Sequence, residues 1–98
     1  MQESMELFRS NAGGELRSNR LTLNEDGSIV MDTQDIGSTA DEMFGEREYE
    51  FALTIPAQAL PRLAFLLLAE RFQGQPDAVD RLRGLCRGEG VPHSFSNR

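Results

Sequence analysis

The segment from Glu48 to Ile55 alternates between two kinds of side chain at every step. The large apolar residues of one side are Tyr49, Phe51, Leu53 and Ile55. The polar or small residues of the other side are Glu48, Glu50, Ala52 and Thr54. A period of two over eight residues is typical of an antiparallel strand with one face in water. Pro56 follows and predicts both the end of the strand and the opening of a helix. The chain therefore has to build a sheet around this strand and cover one of its faces.

A β-hairpin is predicted over Arg20–Thr33, because Asp26-Gly27 separates two runs rich in apolar residues and glycine tolerates a positive φ. Upstream, Met5–Arg9 predicts a short strand and Asn11–Gly14 predicts a turn. The stretch from Gln34 to Gly45 is polar and acidic, which predicts a loop. In that loop Asp35 is expected either to shape a turn through its side chain or to take part in binding.

Two helices are predicted in the second half of the chain. Ala57–Phe72 carries a core-facing apolar stripe made of Leu60, Leu63, Ala64, Leu67 and Leu68, and Pro61 is expected in its first turn. Asp77 is the predicted cap of a helix over Ala78–Gly88. After Gly90, the segment Val91–Phe95 is predicted to form a last short strand.

The predicted fold class is α+β, with an antiparallel β-meander of three to five strands and two helices packed on one face. Residues 1–98 are predicted to form a single domain, because this length is too short for two ordinary domains. Its β-rich half spans 20–55 and its helical half spans 56–98, while residues 1–19 are expected to be peripheral or flexible.

Apolar runs are too short for a membrane span. The longest, Leu63–Ala69, has seven residues, whereas a bilayer needs ~20. The N-terminal residues Met1–Glu6 have no basic region and no cleavable apolar stretch, so no signal peptide is predicted. A single cysteine excludes an internal disulfide and agrees with a reducing compartment. These features predict a cytoplasmic protein that does not enter membranes.

The charges are unevenly distributed. All ten basic residues are arginine, which suits phosphate and carboxylate partners, but the net charge of −6 repels nucleic acid. Residues 25–50 hold nine acids against Arg47 alone, a local net charge of −8, while residues 51–98 have a net charge of +2. The sequence therefore predicts no nucleic-acid partner and favours a basic protein partner.

Few residues point to catalysis. Cys86 lies on the apolar side of the second predicted helix, where a small core residue is expected. His93 is the only histidine, so the chain lacks the His and Cys set that zinc requires. The acids do not follow calcium-loop spacing, and a glycosidase would want aromatic platforms in a chain that has no Trp and one Tyr. We expect no enzyme activity, no cofactor and no metal.

Three short motifs resemble a group of small bacterial α+β proteins that have no assigned activity. They are the strand–Asp-Gly–strand hairpin at 21–30, the turn Gln34-Asp35-Ile36-Gly37, and Tyr49-Glu50-Phe51 leading into helices. The ending Gly90–Phe95 is also similar. The resemblance implies a compact α+β fold of bacterial cytosolic origin and singles out Asp35 and Glu50.

The leading hypothesis is a non-catalytic protein-binding module that uses an acidic surface. Its candidate partner-binding residues are Asp32, Asp35, Asp41, Glu42, Glu46, Glu48 and Glu50. In its sharpest form the module resembles an immunity protein that neutralises a basic toxin. A solvated acidic face that only keeps the protein soluble is the simpler interpretation.

The alternative function is a self-associating homo-oligomer, motivated by a strand edge and by Phe65, Leu66 and Phe72. A small enzyme using carboxylates or Cys86 with His93 comes third.

Overall fold

The computed structural model describes residues 2–36 and 48–96 of the chain. It forms two compact units, Met1–Pro61 and Arg62–Arg98. The elements in chain order are β1 (Glu3–Ala12), β2 (Glu15–Leu23), β3 (Ile29–Ile36), β4 (Glu48–Ile55), α1 (Leu60–Phe72) and α2 (Ala78–Glu89). The predicted α+β class with an antiparallel meander is confirmed. The single-domain organisation and the packing of helices on the sheet stay predictions.

The strands follow one another in the order β1-β2-β3-β4, and every neighbouring pair is antiparallel. The sequence predicts only a short strand and a turn near the N-terminus, but β1 is ten residues long and includes Asn11. The turn consists of Gly13 and Gly14 alone, with φ of 64° and 78°. Positive φ at both central residues gives the chain the tight reversal that a two-residue hairpin requires.

The hairpin predicted over Arg20–Thr33 is confirmed, and both of its strands run further than predicted. The β3 strand extends to Ile36, so the loop predicted from Gln34 is wrong for residues 34–36. Asp35 is a strand residue opposite Arg17 and does not shape a turn. The cause is the length of β2, which offers hydrogen-bonding partners as far back as Leu16. The remainder of the predicted loop, 37–45, lies outside the described residues.

The β4 strand covers the predicted residues Glu48–Ile55 and ends before Pro56, as expected. A short 3-10 turn over Ala57–Ala59 follows, and α1 begins at Leu60. Pro61 therefore lies in the first turn of α1, where its missing N–H costs no helical hydrogen bond.

Of two expectations about the flanks of α2, one holds in position only and one is wrong. Asp77 occupies the predicted N-cap position, but its carboxylate accepts from Arg81 Nε at 2.8 Å and makes no capping hydrogen bond. Residues 91–96 form no strand. There Val91 N–H donates to the Cys86 carbonyl oxygen at 2.8 Å, and the Arg83 guanidinium lies 4.0 Å from the Phe95 ring centroid. This tail is thus tied to α2 by its own contacts.

No residue of α1 or α2 is buried. Four consecutive residues of α1, Phe65 to Leu68, are each between 39% and 59% exposed. Leu67 and Leu68 of the predicted core stripe are among these four residues, and the packing of that stripe against the sheet stays a prediction. The apolar residues surround α1 on all sides, which gives this helix more apolar surface than one contact covers.

Candidate functional site

The strand register collects the large apolar side chains of the sheet on one side. Directly opposite residues of an antiparallel pair share a face, so one transverse row crosses all four strands. That row is Met5, Leu21, Met31 and Leu53. On the side of this row nearer the β2–β3 turn, a second row holds Leu23, Ile29 and Ile55. On the side away from that turn, a third row has Phe8 and Phe51 at its two ends. We call these nine residues the apolar face.

Six of the nine residues are substantially exposed. The exposed fraction is 60% for Met5, 48% for Phe8, 37% for Leu23, 46% for Met31, 53% for Phe51 and 64% for Leu53. Together they present roughly 600 Å² of apolar surface, taking about 200 Å² for a fully exposed large side chain. Patches of this size mark interaction sites more often than ordinary surface.

Polar pairs border the apolar face at the end away from the β2–β3 turn. Between Phe8 and Phe51, Thr33 Oγ1 donates to Asn19 Oδ1 at 2.7 Å. One row further, Arg17 donates twice to Asp35, from Nε to Oδ1 at 2.7 Å and from Nη2 to Oδ2 at 2.9 Å. The bidentate geometry fixes both groups and leaves this end of the face with its opposite charges already paired.

The ion pair also changes the titration of the carboxylate. The hydrogen bonds from Arg17 hold the pKa of Asp35 below its ordinary value, and the positive charge of the guanidinium adds to this effect. Asp35 therefore stays ionised through the physiological range. The Asp35 side chain is only 23% exposed while that of Arg17 is 60% exposed, so the guanidinium is the more accessible partner.

The opposite face of the sheet is mostly polar. Ser4 Oγ and Thr22 Oγ1 are hydrogen-bonded at 3.1 Å, and Arg9 Nε donates to Glu6 Oε1 at 2.7 Å. Asp32 on β3 is paired in register with Arg20 on β2 and with Ala52 on β4. We call this surface the polar face.

The predicted acidic residues are divided between these two faces. Asp32 and Glu50 occupy diagonal register positions on the polar face, since Asp32 is opposite Ala52 and Glu50 is opposite Gln34. Asp35 lies on the other face, in its ion pair with Arg17. Glu48 is the first residue of β4. The other three predicted residues, Asp41, Glu42 and Glu46, lie outside the described residues.

The candidate catalytic pair lies in the helical unit. Cys86 is a half-buried free thiol on α2. His93 is exposed, and its Nδ1 lies 2.7 Å from the Val91 carbonyl oxygen. One of the two ring nitrogens is therefore engaged in a hydrogen bond with the backbone. Within residues 2–36 and 48–96 there is no group of three His, Cys, Asp or Glu residues arranged to hold a metal ion. Over the same residues, no helix has the length and apolar character needed to span a membrane.

Two features of the candidate binding surface are not predicted from the sequence. They are the transverse row that begins at Met5 and the side chain of Arg17. The alternation in β4 identifies Leu53 and Phe51, and Leu21 and Leu23 alternate in the same way. Their neighbours across the sheet become visible only with the register. The pairing of Arg17 with Asp35, eighteen residues apart, likewise depends on how β2 and β3 align.

Compared with protein-family models, curated proteins and solved structures, the chain gives no match to any of the three. The resemblance to small bacterial α+β proteins therefore stays a prediction.

Proposed function

We propose that this chain is a non-catalytic protein-binding module whose principal contact surface is the apolar face of the sheet. The observation that carries the proposal is the row Met5, Leu21, Met31 and Leu53, which crosses all four strands and is strongly exposed at both ends. The exposed part of the whole apolar face, roughly 600 Å², comes close to the ~800 Å² that each partner contributes to a standard interface.

The polar border supports the same function. A protein interface combines an apolar centre with a rim of satisfied polar groups, because unpaired charges are costly to desolvate. Arg17 with Asp35 and Asn19 with Thr33 supply such a rim along one end of the apolar face. The exposed guanidinium of Arg17 can bind a carbonyl or carboxylate of the partner with the donors that Asp35 does not use.

The acidic character of residues 25–50 favours a basic partner. Complementary charge mainly raises the association rate, and salt weakens this effect. In the sharpest form of the proposal the partner is a basic toxin that the module neutralises, acting in the reducing cytoplasm where a lone cysteine such as Cys86 stays a thiol. Charge reversal at Asp41, Glu42 and Glu46 is then expected to lower the association rate and to flatten its salt dependence.

The first test compares two substitutions on opposite faces of the sheet. Leu53→Glu places a charge in the apolar row, while the control Ser4→Glu places the same charge at an exposed position of the polar face, on β1 and away from the β4 edge. A protein captured from host lysate is purified, and its affinity for wild type and both variants is measured by calorimetry. We expect roughly 30–100-fold weaker binding for Leu53→Glu, the effect of losing a central contact, and a change of less than about 3-fold for the control.

Two results would contradict the proposal. Equal binding by both variants removes the apolar face from the interface. If Leu53→Glu instead lowers the free energy of unfolding without weakening binding, the apolar face serves the fold of this chain and not its partner.

A further inference from the structure

Among residues 2–36 and 48–96, the β4 strand is one edge of the four-stranded sheet. Its eight residues pair with β3 in one unbroken register, from Glu48 opposite Ile36 to Ile55 opposite Ile29. The central residues Ala52, Leu53 and Thr54 are all exposed. A long regular edge strand without proline, lysine or a bulge is a template for pairing with another strand.

The other edge is built differently. In β1 the register shifts between Glu6 and Phe8, which introduces an extra residue at Leu7. A bulge twists and bends an edge and so opposes the addition of a further strand. The sheet thus has one edge protected against pairing and one edge that is regular.

We propose that two copies of this chain pair antiparallel along β4, with the two-fold axis at Ala52, and so form one continuous eight-stranded sheet. This inference concerns the backbone edge of β4 and goes beyond the proposed function, which rests on the apolar face. A second copy fits because a two-fold axis places the same strand on both sides and closes the assembly at two chains.

The charges of β4 favour the register centred on Ala52 over one centred on Phe51. When Ala52 lies opposite Ala52 of the second copy, Glu50 lies opposite Thr54 and Phe51 lies opposite Leu53. Acids then face neither each other nor a diagonal acid, whereas a register centred on Phe51 makes the two Glu50 residues diagonal neighbours. Like charges across a strand pair are destabilising, and aromatic–aliphatic pairs are stabilising. The Ala52-centred register therefore satisfies both requirements.

The same register also aligns the apolar faces of the two copies. Directly opposite residues share a face, so Leu53 and Phe51 of each copy fall on one side of the new sheet. The apolar face of one copy and the apolar face of the second copy thus become one continuous apolar surface. The second copy thereby adds apolar contacts to the backbone hydrogen bonds of the edge.

Disulfide trapping tests the register directly. All variants carry Cys86→Ser, so that the native thiol does not contribute. Ala52→Cys brings two thiols opposite each other across the axis, with Cα atoms about 4.5–5.5 Å apart, a separation that a disulfide spans. The matched control is Thr54→Cys, on the same strand and the same face. In the proposed dimer the Cα atoms of residue 54 in the two copies lie about 13 Å apart. Each variant is oxidised at micromolar concentration and separated by non-reducing electrophoresis, and the mass of wild type is measured by light scattering.

We expect wild type to have twice the 10.9 kDa mass of the chain, and at least tenfold more cross-linked dimer for Ala52→Cys than for Thr54→Cys. A wild-type mass of one chain overturns the proposal. So does a mass above two chains that grows with concentration, because it indicates open-ended pairing. A dimer in which the two cysteine variants cross-link equally, or only Thr54→Cys does, overturns pairing at Ala52.

Discussion

The two ends of the sheet are held by different interactions. At the β2–β3 end, Asp26 Oδ1 accepts from the Ser28 N–H at 2.9 Å and from the Ser28 hydroxyl at 2.6 Å, while Asn24 Nδ2 donates to Ser28 Oγ at 3.0 Å. Ser28 is 8% exposed and is the one buried polar residue among those whose side-chain burial the structure describes. At the β1–β2 end the turn consists of two glycines and the nearby ion pair is exposed.

This difference separates folding from binding. The β2–β3 end carries a part-buried side-chain network around Ser28, while the other end carries accessible polar groups at the rim of the apolar face. We therefore expect substitutions at the β2–β3 end to act mainly on stability. Substitutions at the β1–β2 end are expected to act mainly on recognition.

Gly27→Ala gives the largest expected effect. Gly27 has φ of 87°, and a Cβ there would lie 3.1 Å from Ala57 Cβ, so the substitution combines backbone strain with a steric contact. We expect a loss of about 2–3 kcal/mol in the free energy of unfolding, measured with urea. The control Gly13→Ala has φ of 64° with no atom within 4 Å of the new Cβ, and should cost only about 1 kcal/mol. Equal losses would show that the contact with Ala57 carries no strain.

The sequence predicts the β4 strand and the β2–β3 hairpin because each is a local pattern. β4 alternates over its whole length, and Asp26-Gly27 sits between two such runs. The full length of β1 is not predictable in this way. Its bulge between Glu6 and Phe8 breaks the period of two, so that Met5 and Phe8 share a face although three positions separate them.

A local pattern also misleads at the C-terminus. Val91, His93 and Phe95 alternate with small or polar residues like a strand, but the Val91 N–H already donates to the end of α2 and Phe95 lies beneath Arg83. The candidate site is the least predictable part of the chain. Its apolar row and its Arg17–Asp35 pair exist only through the alignment of separate strands, which no single segment specifies.

Ser28→Ala sharpens the comparison with a smaller effect. The substitution removes a hydroxyl that donates to Asp26 and accepts from Asn24 within the part-buried turn. We expect a loss of about 1–2 kcal/mol in the free energy of unfolding. Ser10→Ala, at the other end of the sheet in the row of Arg17, is the control and should change stability by less than about 0.5 kcal/mol. A larger loss for Ser10→Ala would reverse the assignment of the two ends.

The smallest expected effect concerns how the two ends respond to acid and salt. The pKa of Asp26 is lowered by hydrogen bonds from Ser28 and that of Asp35 by hydrogen bonds from Arg17. Each folded-state pKa thus lies below the unfolded value of ~3.9. The stability that each carboxylate contributes is therefore complete above that value and is lost as the pH falls through the folded pKa. Asp26→Asn and Asp35→Asn should each lower the urea midpoint at pH 6, and the difference from wild type should shrink as the pH falls below ~3.9 towards each folded-state pKa.

Salt then distinguishes the two carboxylates. Asp35 is paired with a charged guanidinium, and in about 1 M NaCl the Debye length falls to ~3 Å, which screens this exposed pair. Asp26 accepts from a neutral hydroxyl and a backbone N–H, so its contribution contains no charge pair to screen. At pH 6 we expect the effect of Asp35→Asn on the urea midpoint to shrink in high salt while that of Asp26→Asn persists. If both shrink equally, the β2–β3 turn is held by long-range charge as the other end is, and the contrast between the two ends is lost.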